Sequence, residues 1–203
     1  MTIKYPSIIL VRPQLPENIG MVARAMNNFG LNELIVVSPR ENWLNNKTIN
    51  AAKKANSIIK NIKVFSSLED AISNFTYVIA TTNRKRYLEK KSTSDFKYLK
   101  NKINTYKKSA ILFGPENSGL SNEDLNLADI IFSINTSNQN NSLNLSHAVS
   151  ILCYKIFELN NLKNNTNLKS KLTYINKSQL SKYFDYLFSN LENRGFFTPK
   201  EKK

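Results

Sequence analysis

"SIILVRPQLPENIGMVARAMNNFGLNELIVVS", residues 7–38, decides the fold class. Ser7–Val11 is a short apolar run stopped by Arg12 and Pro13, and it reads as a strand. From Pro16 the period changes. Ile19, Val22, Ala23 and Met26 recur at helical spacing, so the helix running towards Gly30 turns one stripe to a core. Glu33–Ser38 is a second strand. Gly20 and Arg24 lie one turn apart on a different side of that helix, with Asn18 at its mouth. A glycine there costs roughly 1 kcal/mol relative to alanine, which implies that something needs close access to this face.

The alternation continues outward. Thr48–Ile59 reads as a helix, Lys63–Phe65 as a strand, Leu68–Phe75 as a helix and Tyr77–Ala80 as a strand. Ala110–Phe113 and Ile130–Ile134 complete the strands. Leu145–Leu159 is a long helix with Leu145, Ala148, Val149, Leu152 and Ile156 on one stripe. Such a pattern predicts an α/β fold, a mostly parallel sheet flanked by helices on both faces. After Leu159 the chain turns polar, and Asn160–Lys171 reads as a linker. Ser178–Arg194 resumes a helical stripe through Leu180, Tyr183, Phe184, Leu187 and Leu191, and Gly195 stops it. A helix this short is marginal alone and is expected to dock. Residues 1–160 therefore form the main domain and 161–203 a linker with a helical extension.

Lys and Arg number 29 against 15 Asp and Glu, a net charge of +14. That excess favours an anionic partner, nucleic acid before membrane. A chain this rich in Asn, Lys and Ile is also what an AT-rich genome imposes. Cys153 is the only cysteine, which excludes an internal disulfide, and with His147 as the only histidine the chain cannot supply a conventional His/Cys structural zinc site. No stretch approaches the roughly 20 apolar residues of a membrane span. The expectation is a cytoplasmic protein that uses no metal and contacts no membrane.

Three loops at strand ends hold the polar residues that chemistry would need, where open α/β sheets place ligands. The first leads to Asn18, Gly20 and Arg24. The second is "FGPENSGLSNEDL", residues 113–125, in which Glu116 sits in a loop between Gly114 and Gly119, and Ser121 with Asp124 forms a capping-box pattern. The third runs from Asn135 into Ser142, Leu143 and Asn144 at the head of the long helix. Ser142 or Asn144 suits a helix cap, and the same turn also suits holding a small polar ligand. His147 in the first turns of that helix fits a general base or a surface position. Neither a dinucleotide fingerprint nor a P-loop occurs.

"ENIGMVARAMNNFGL" (17–31), "ILFGPENSGLSNEDL" (111–125) and "SLNLSHAVSILCYKIFE" (142–158) together resemble the three ordered motifs of the SpoU (TrmH-type) branch of the SPOUT RNA 2'-O-methyltransferases. Each is weak alone, and the ordered set is specific. Two further stretches, "ATTNRKRYLEK" (80–90) and "LSKYFDYLFSNLENRGFFTPKEK" (180–202), are most similar to the bacterial members that methylate cytidine or uridine 32 of tRNA. The resemblance implies a sheet with a C-terminal trefoil knot, a homodimer, S-adenosylmethionine as methyl donor (S-adenosylhomocysteine as product) and tRNA as substrate. Carried over by motif, Asn18, Arg24, Glu116, Ser142 and Asn144 match functional positions, with Arg24 activating the 2'-hydroxyl or stabilising its alkoxide. The donor would lie among Thr81, Thr82, Asn83, Gly114, Ile134, Ser142, Leu143 and Asn144. Asn18 and Glu116 would orient Arg24, and Gly20 would leave room for ribose and phosphate.

Arg84, Lys85, Arg86, Lys90 and Lys91 form the densest basic cluster and are candidate phosphate contacts, with Arg12 a second candidate. The competing readings are the same reaction on another RNA, either the tRNA wobble ribose or ribosomal RNA, and a non-catalytic RNA-binding protein of the same fold.

Overall fold

The structure is a computed structural model that describes residues 5–84, 90–137, 142–161 and 175–197. Its strands are β1 (Ser7–Val11), β2 (Leu34–Val37), β3 (Lys63–Phe65), β4 (Tyr77–Thr81), β5 (Ser92–Thr93), β6 (Ser109–Phe113) and β7 (Ile130–Phe132). Its helices are α1 (Pro16–Asn28), α2 (Asn46–Ala52), α3 (Asn56–Lys60), α4 (Leu68–Ile72), α5 (Phe96–Thr105), α6 (Asn122–Asn126), α7 (Leu145–Asn161) and α8 (Lys177–Asn193). The strands form one sheet in the order β3-β2-β1-β6-β4-β7-β5. Every pairing in it is parallel.

Parallel strands are covered on both faces, which is why β1 reads as an unbroken apolar run. Ile8 and Leu10 join the core under α1, α2, α3, α5 and α7, while Ile9 and Val11 join the core under α4 and α6. Parallelism also places the C-terminal end of every strand, and the loop that follows it, along one edge of the sheet.

Three local features depart from expectation. The helix expected over Thr48–Ile59 is two helices, because Lys53 adopts a left-handed φ of 52° that ends α2. Strand β5 and helix α5 lie in a stretch with no predicted element. Asp95 starts α5 by accepting the Lys97 N–H at 2.8 Å, and Leu99 and Ile103 bury its inner side. The third departure is α8, in which no residue is buried. Its first turn docks: Lys177 N donates to Phe75 O and Ser178 N to Ser73 O, each at 2.9 Å, and Lys177 Nζ pairs with Asp129 at 2.7 Å. First-turn N–H groups point back along a helix axis, so α8 leads away from the body. Gly195 ends it at φ 67°, as expected. The proposed linker lies largely outside the described residues.

Among the described residues no helix is long and apolar enough to cross a membrane.

Candidate active site

A cavity of about 410 Å³ opens at the C-terminal ends of β4, β6 and β7, a volume suited to a ligand of nucleoside size. Thr81 lines it from the end of β4, Thr82 and Asn83 from the loop that follows, Gly114 and Glu116 from the loop after β6, Ile134 from the loop after β7, and Ser142 and Leu143 from the turn before α7. The loops after β4, β6 and β7 thus converge, whereas the loop leading to Asn18, Gly20 and Arg24 supplies no residue to the wall. Asn144 does not line the cavity. Thr136, Leu145 and Ala148 do, and sequence reasoning passed over them in a donor role. Thr136 carried a usable signal, since it lies in the polar loop after β7; its Oγ1 accepts from Asn83 Nδ2 at 3.0 Å and ties two loops together. Gly114 is required where it stands, because a Cβ there would lie 2.2 Å from Leu120 N.

A chain of hydrogen bonds joins the motifs behind this wall. Glu116 accepts from Gln14 N (2.8 Å), Leu15 N (3.2 Å) and Asn18 Nδ2 (2.7 Å). Asn18 Oδ1 accepts from Asn144 Nδ2 at 3.2 Å. Asn144 Oδ1 in turn accepts from Ser146 N (2.8 Å) and Ser146 Oγ (2.7 Å), which caps the first turn of α7. The carboxylate can only accept, so it fixes the amide orientation of Asn18, which fixes that of Asn144. Glu116 and Asn18 therefore set the start of α1 and the turn before α7, and neither bonds to Arg24. Buried Ser146 completes the chain and was not singled out from the sequence.

Arg24 is exposed on the outer side of α1 and lines no part of the cavity. Among the described residues it forms no ion pair. The expected reason for Gly20 is overturned. A Cβ at Gly20 would lie 2.2 Å from Thr48 O and 2.8 Å from Ala51 Cβ, so the close approach it permits is that of α2, not of ribose. His147 is exposed on α7. Burial pushes the Cys153 thiol up to about 12, so it stays protonated and inert.

The basic candidates divide. Arg12, at φ 49°, gives its guanidinium to Asp124, which also accepts Ser121 N at 2.8 Å in a capping box, so it ties the end of β1 to α6. With Arg84 it also borders a second, more polar hollow of about 780 Å³ beside the first. Arg84 lines both hollows and donates to Asn117 O at 3.1 Å. Lys90 donates to the carbonyls of Leu125 (2.8 Å), Asn126 (2.8 Å) and Ala128 (2.5 Å) at the C-terminal end of α6. Its burial there lowers the ammonium pKa. That lysine is structural. Lys85 and Arg86 lie outside the described residues.

Comparison with known proteins agrees with this arrangement. The sequence model of the SpoU rRNA Methylase family matches residues 6–154. The tRNA (cytidine-2'-O-)-methyltransferase TrmJ of Methanocaldococcus jannaschii is 37% identical over 155 residues, 74% of this chain and 66% of that protein. The tRNA (cytidine/uridine/adenosine-2'-O-)-methyltransferase TrmJ of Pseudomonas aeruginosa is 27% identical over 96% of this chain and 80% of its own length. The crystal structure of TrmJ from Z. mobilis superposes with a TM-score of 0.82 at 34% identity, covering 96% of this chain and 83% of that one. With the family match spanning the sheet and all three cavity loops, the chain belongs to the SpoU rRNA Methylase family.

Proposed function

We propose that this SpoU-family methyltransferase transfers a methyl group from S-adenosylmethionine to the ribose 2'-hydroxyl of the pyrimidine at tRNA position 32, as a cytoplasmic homodimer carrying the family's C-terminal knot. The observation that carries the reading is the one cavity where the loops after β4, β6 and β7 and the turn before α7 meet, with the first motif tied to its wall through the Glu116–Asn18–Asn144 hydrogen bonds. The cavity suits the donor: Ile134, Leu143, Leu145 and Ala148 offer an apolar wall, and Thr81, Thr82, Asn83 and Ser142 offer polar groups. The bound donor supplies an electrophilic methyl group on a sulfonium, already a good leaving group. The protein must add alignment and a destination for the hydroxyl proton.

Arg24 is the residue for that task. Its guanidinium does not give up a proton in a protein, so it holds a substrate phosphate and stabilises the developing alkoxide, while a phosphate oxygen takes the proton. Within one chain it stands away from the cavity on a face where Met21, Tyr154 and Phe157 are also exposed. A second copy packed on that face supports both burial of these side chains and delivery of Arg24 to the partner's cavity. Arg84 contacts RNA beside the cavity, and Lys85 and Arg86, its neighbours in sequence, are further RNA contacts.

The test is transfer of labelled methyl from S-adenosylmethionine to unmodified tRNA transcripts, with the modified nucleotide mapped. Label on the ribose of position 32 supports the reading in full. Label at another ribose keeps the chemistry and overturns the substrate, and absence of donor binding overturns the enzyme. Arg24→Ala is expected to lower transfer at least 100-fold with donor affinity retained. Retained turnover would remove Arg24 from the mechanism.

A further inference from the structure

Residues 90–108 hold seven lysines against one carboxylate, Asp95. Two of the lysines are internal. Lys90 caps α6, and Lys100, only 4% exposed, donates to Asn160 Oδ1. Lys91, Lys97, Lys102, Lys107 and Lys108 remain, and among the described residues none of them is in an ion pair.

Three of the five lie over aromatic rings at one end of the sheet. Lys91 Nζ lies 4.9 Å from the centre of the Tyr98 ring, and Lys102 Nζ lies 5.4 Å from Tyr98 and 6.0 Å from Tyr106. Tyr106 stacks on Tyr77 at 4.2 Å, and Lys108 Nζ lies 4.6 Å from the centre of Phe75. The carboxylates that adjoin this surface are already committed. Asp95 caps α5, Asp129 holds Lys177 and the Val78 N–H, and Glu33 holds Lys63 and Ser7. A net positive surface results.

Tyr77, Lys108 and Lys91 stand at the starts of β4, β6 and β5, so the surface occupies the sheet edge opposite the cavity. Arg84 lines the cavity and Lys91 stands at the foot of β5, seven residues further along the sequence. A five-residue strand spans about 17 Å, which sets the separation of the two surfaces across the sheet.

We propose that the Lys91–Lys102–Lys108 surface, with Tyr98 and Tyr106, is a second RNA-contacting surface that grips the phosphate backbone of the paired stem next to the methylated loop. It rests on the reading of this chain as a tRNA methyltransferase. The ring geometry selects phosphates over bases. Phe75 is 1% exposed, an ammonium group already lies over Tyr98 and Tyr77 already stacks on Tyr106, so the lysines rather than the rings are the groups offered to RNA. Contact of this kind is independent of sequence and strongly dependent on salt.

The experiment measures binding of an anticodon stem-loop transcript to the full chain across a salt series. The variant is K91Q/K102Q/K108Q, with donor affinity measured in parallel. Each lost phosphate contact should lower the slope of log K against log salt by about 0.7–0.9. The triple variant is expected to lose about 2 in slope and at least 10-fold in RNA affinity near physiological salt, with donor affinity within twofold of wild type. The Lys→Arg triple should restore both. The single variant Lys102→Gln gives the same reading without a large change of surface, and a slope unchanged within about 0.3 overturns the proposal. An equal loss on replacing the exposed Lys53, Lys54 and Lys60 by Gln overturns it too, since that would be bulk charge alone. If wild-type protein methylates no RNA, the functional reading fails. If it does and the triple variant binds as wild type, only the second surface fails.

Discussion

A methyl group at Gly20 would meet the Thr48 carbonyl oxygen at 2.2 Å, backbone that cannot rotate away. Gly20→Ala must therefore push α2 off α1, an overpacking cost of about 1–3 kcal/mol. At this chain length that lowers Tm by about 2–12 °C, and a melting point equal to wild type would show that the helices part without cost. Glu116 is the opposite case, a residue whose own groups do the holding. In Glu116→Gln one of the two side-chain oxygens becomes an NH₂ donor facing N–H groups, and the loss of about 1–3 kcal/mol passes through Asn18 and Asn144 to the turn before α7. Donor affinity should fall about 10-fold by calorimetry. An unchanged affinity would show that Asn144 holds that turn without Glu116. The two residues explain which part of the site was legible in sequence. A carboxylate in a glycine-flanked loop has few uses other than holding something, so Glu116 stood out. A small residue signals only that something comes close, and the sequence does not say whether that is α2 or a substrate.

At the scale of elements, strands buried on both faces were read directly because a parallel sheet demands unbroken apolar runs, as in Ile8–Leu10 and Ile111–Phe113. Helix α5 escaped because lysines crowd its sequence; Asp95 as N-cap, with Phe96, Leu99 and Ile103 at helical spacing, was the signal to use. One of those lysines makes a test. Lys100 is buried between α5 and α7 with an amide oxygen and no carboxylate, beside an Asn160 Nδ2 that has no partner. Burial lowers its pKa below the ordinary lysine value. Because the native state then prefers the neutral amine, the cost of holding the charge is complete at neutral pH. It is relieved as pH rises through the native pKa towards the unfolded value near 10.4. The double variant K100M/N160L removes both groups. It should be more stable than wild type by about 1 kcal/mol at pH 7, with the gap narrowing towards pH 10. A gap constant with pH would mean that Lys100 carries no penalty in its place.

At the scale of the whole molecule, no run of residues in one chain states where Arg24 acts, because its target is not on the same chain in the proposed arrangement. The motifs made Arg24 legible as a functional residue, while its position away from the cavity appears only once α1, α7 and the three loops are folded. Two inactive variants separate the alternatives. Arg24→Ala keeps the cavity and loses the cation; Leu143→Arg keeps the cation and fills the cavity wall with a charged side chain. If Arg24 serves its own chain, a mixture of the two has no intact site and stays inactive. If it serves the partner, each mixed dimer holds one intact site, made of the Arg24→Ala chain's cavity and the Leu143→Arg chain's Arg24. Random exchange makes about half of the dimers mixed, so about a quarter of wild-type transfer should return after co-refolding or co-expression. The restored activity should scale with the fraction of mixed dimers as the mixing ratio is varied, reaching its maximum at equal amounts. A mixture that remains inactive while size analysis shows mixed dimers would place Arg24 on its own chain's reaction and the exposed α1–α7 face outside catalysis.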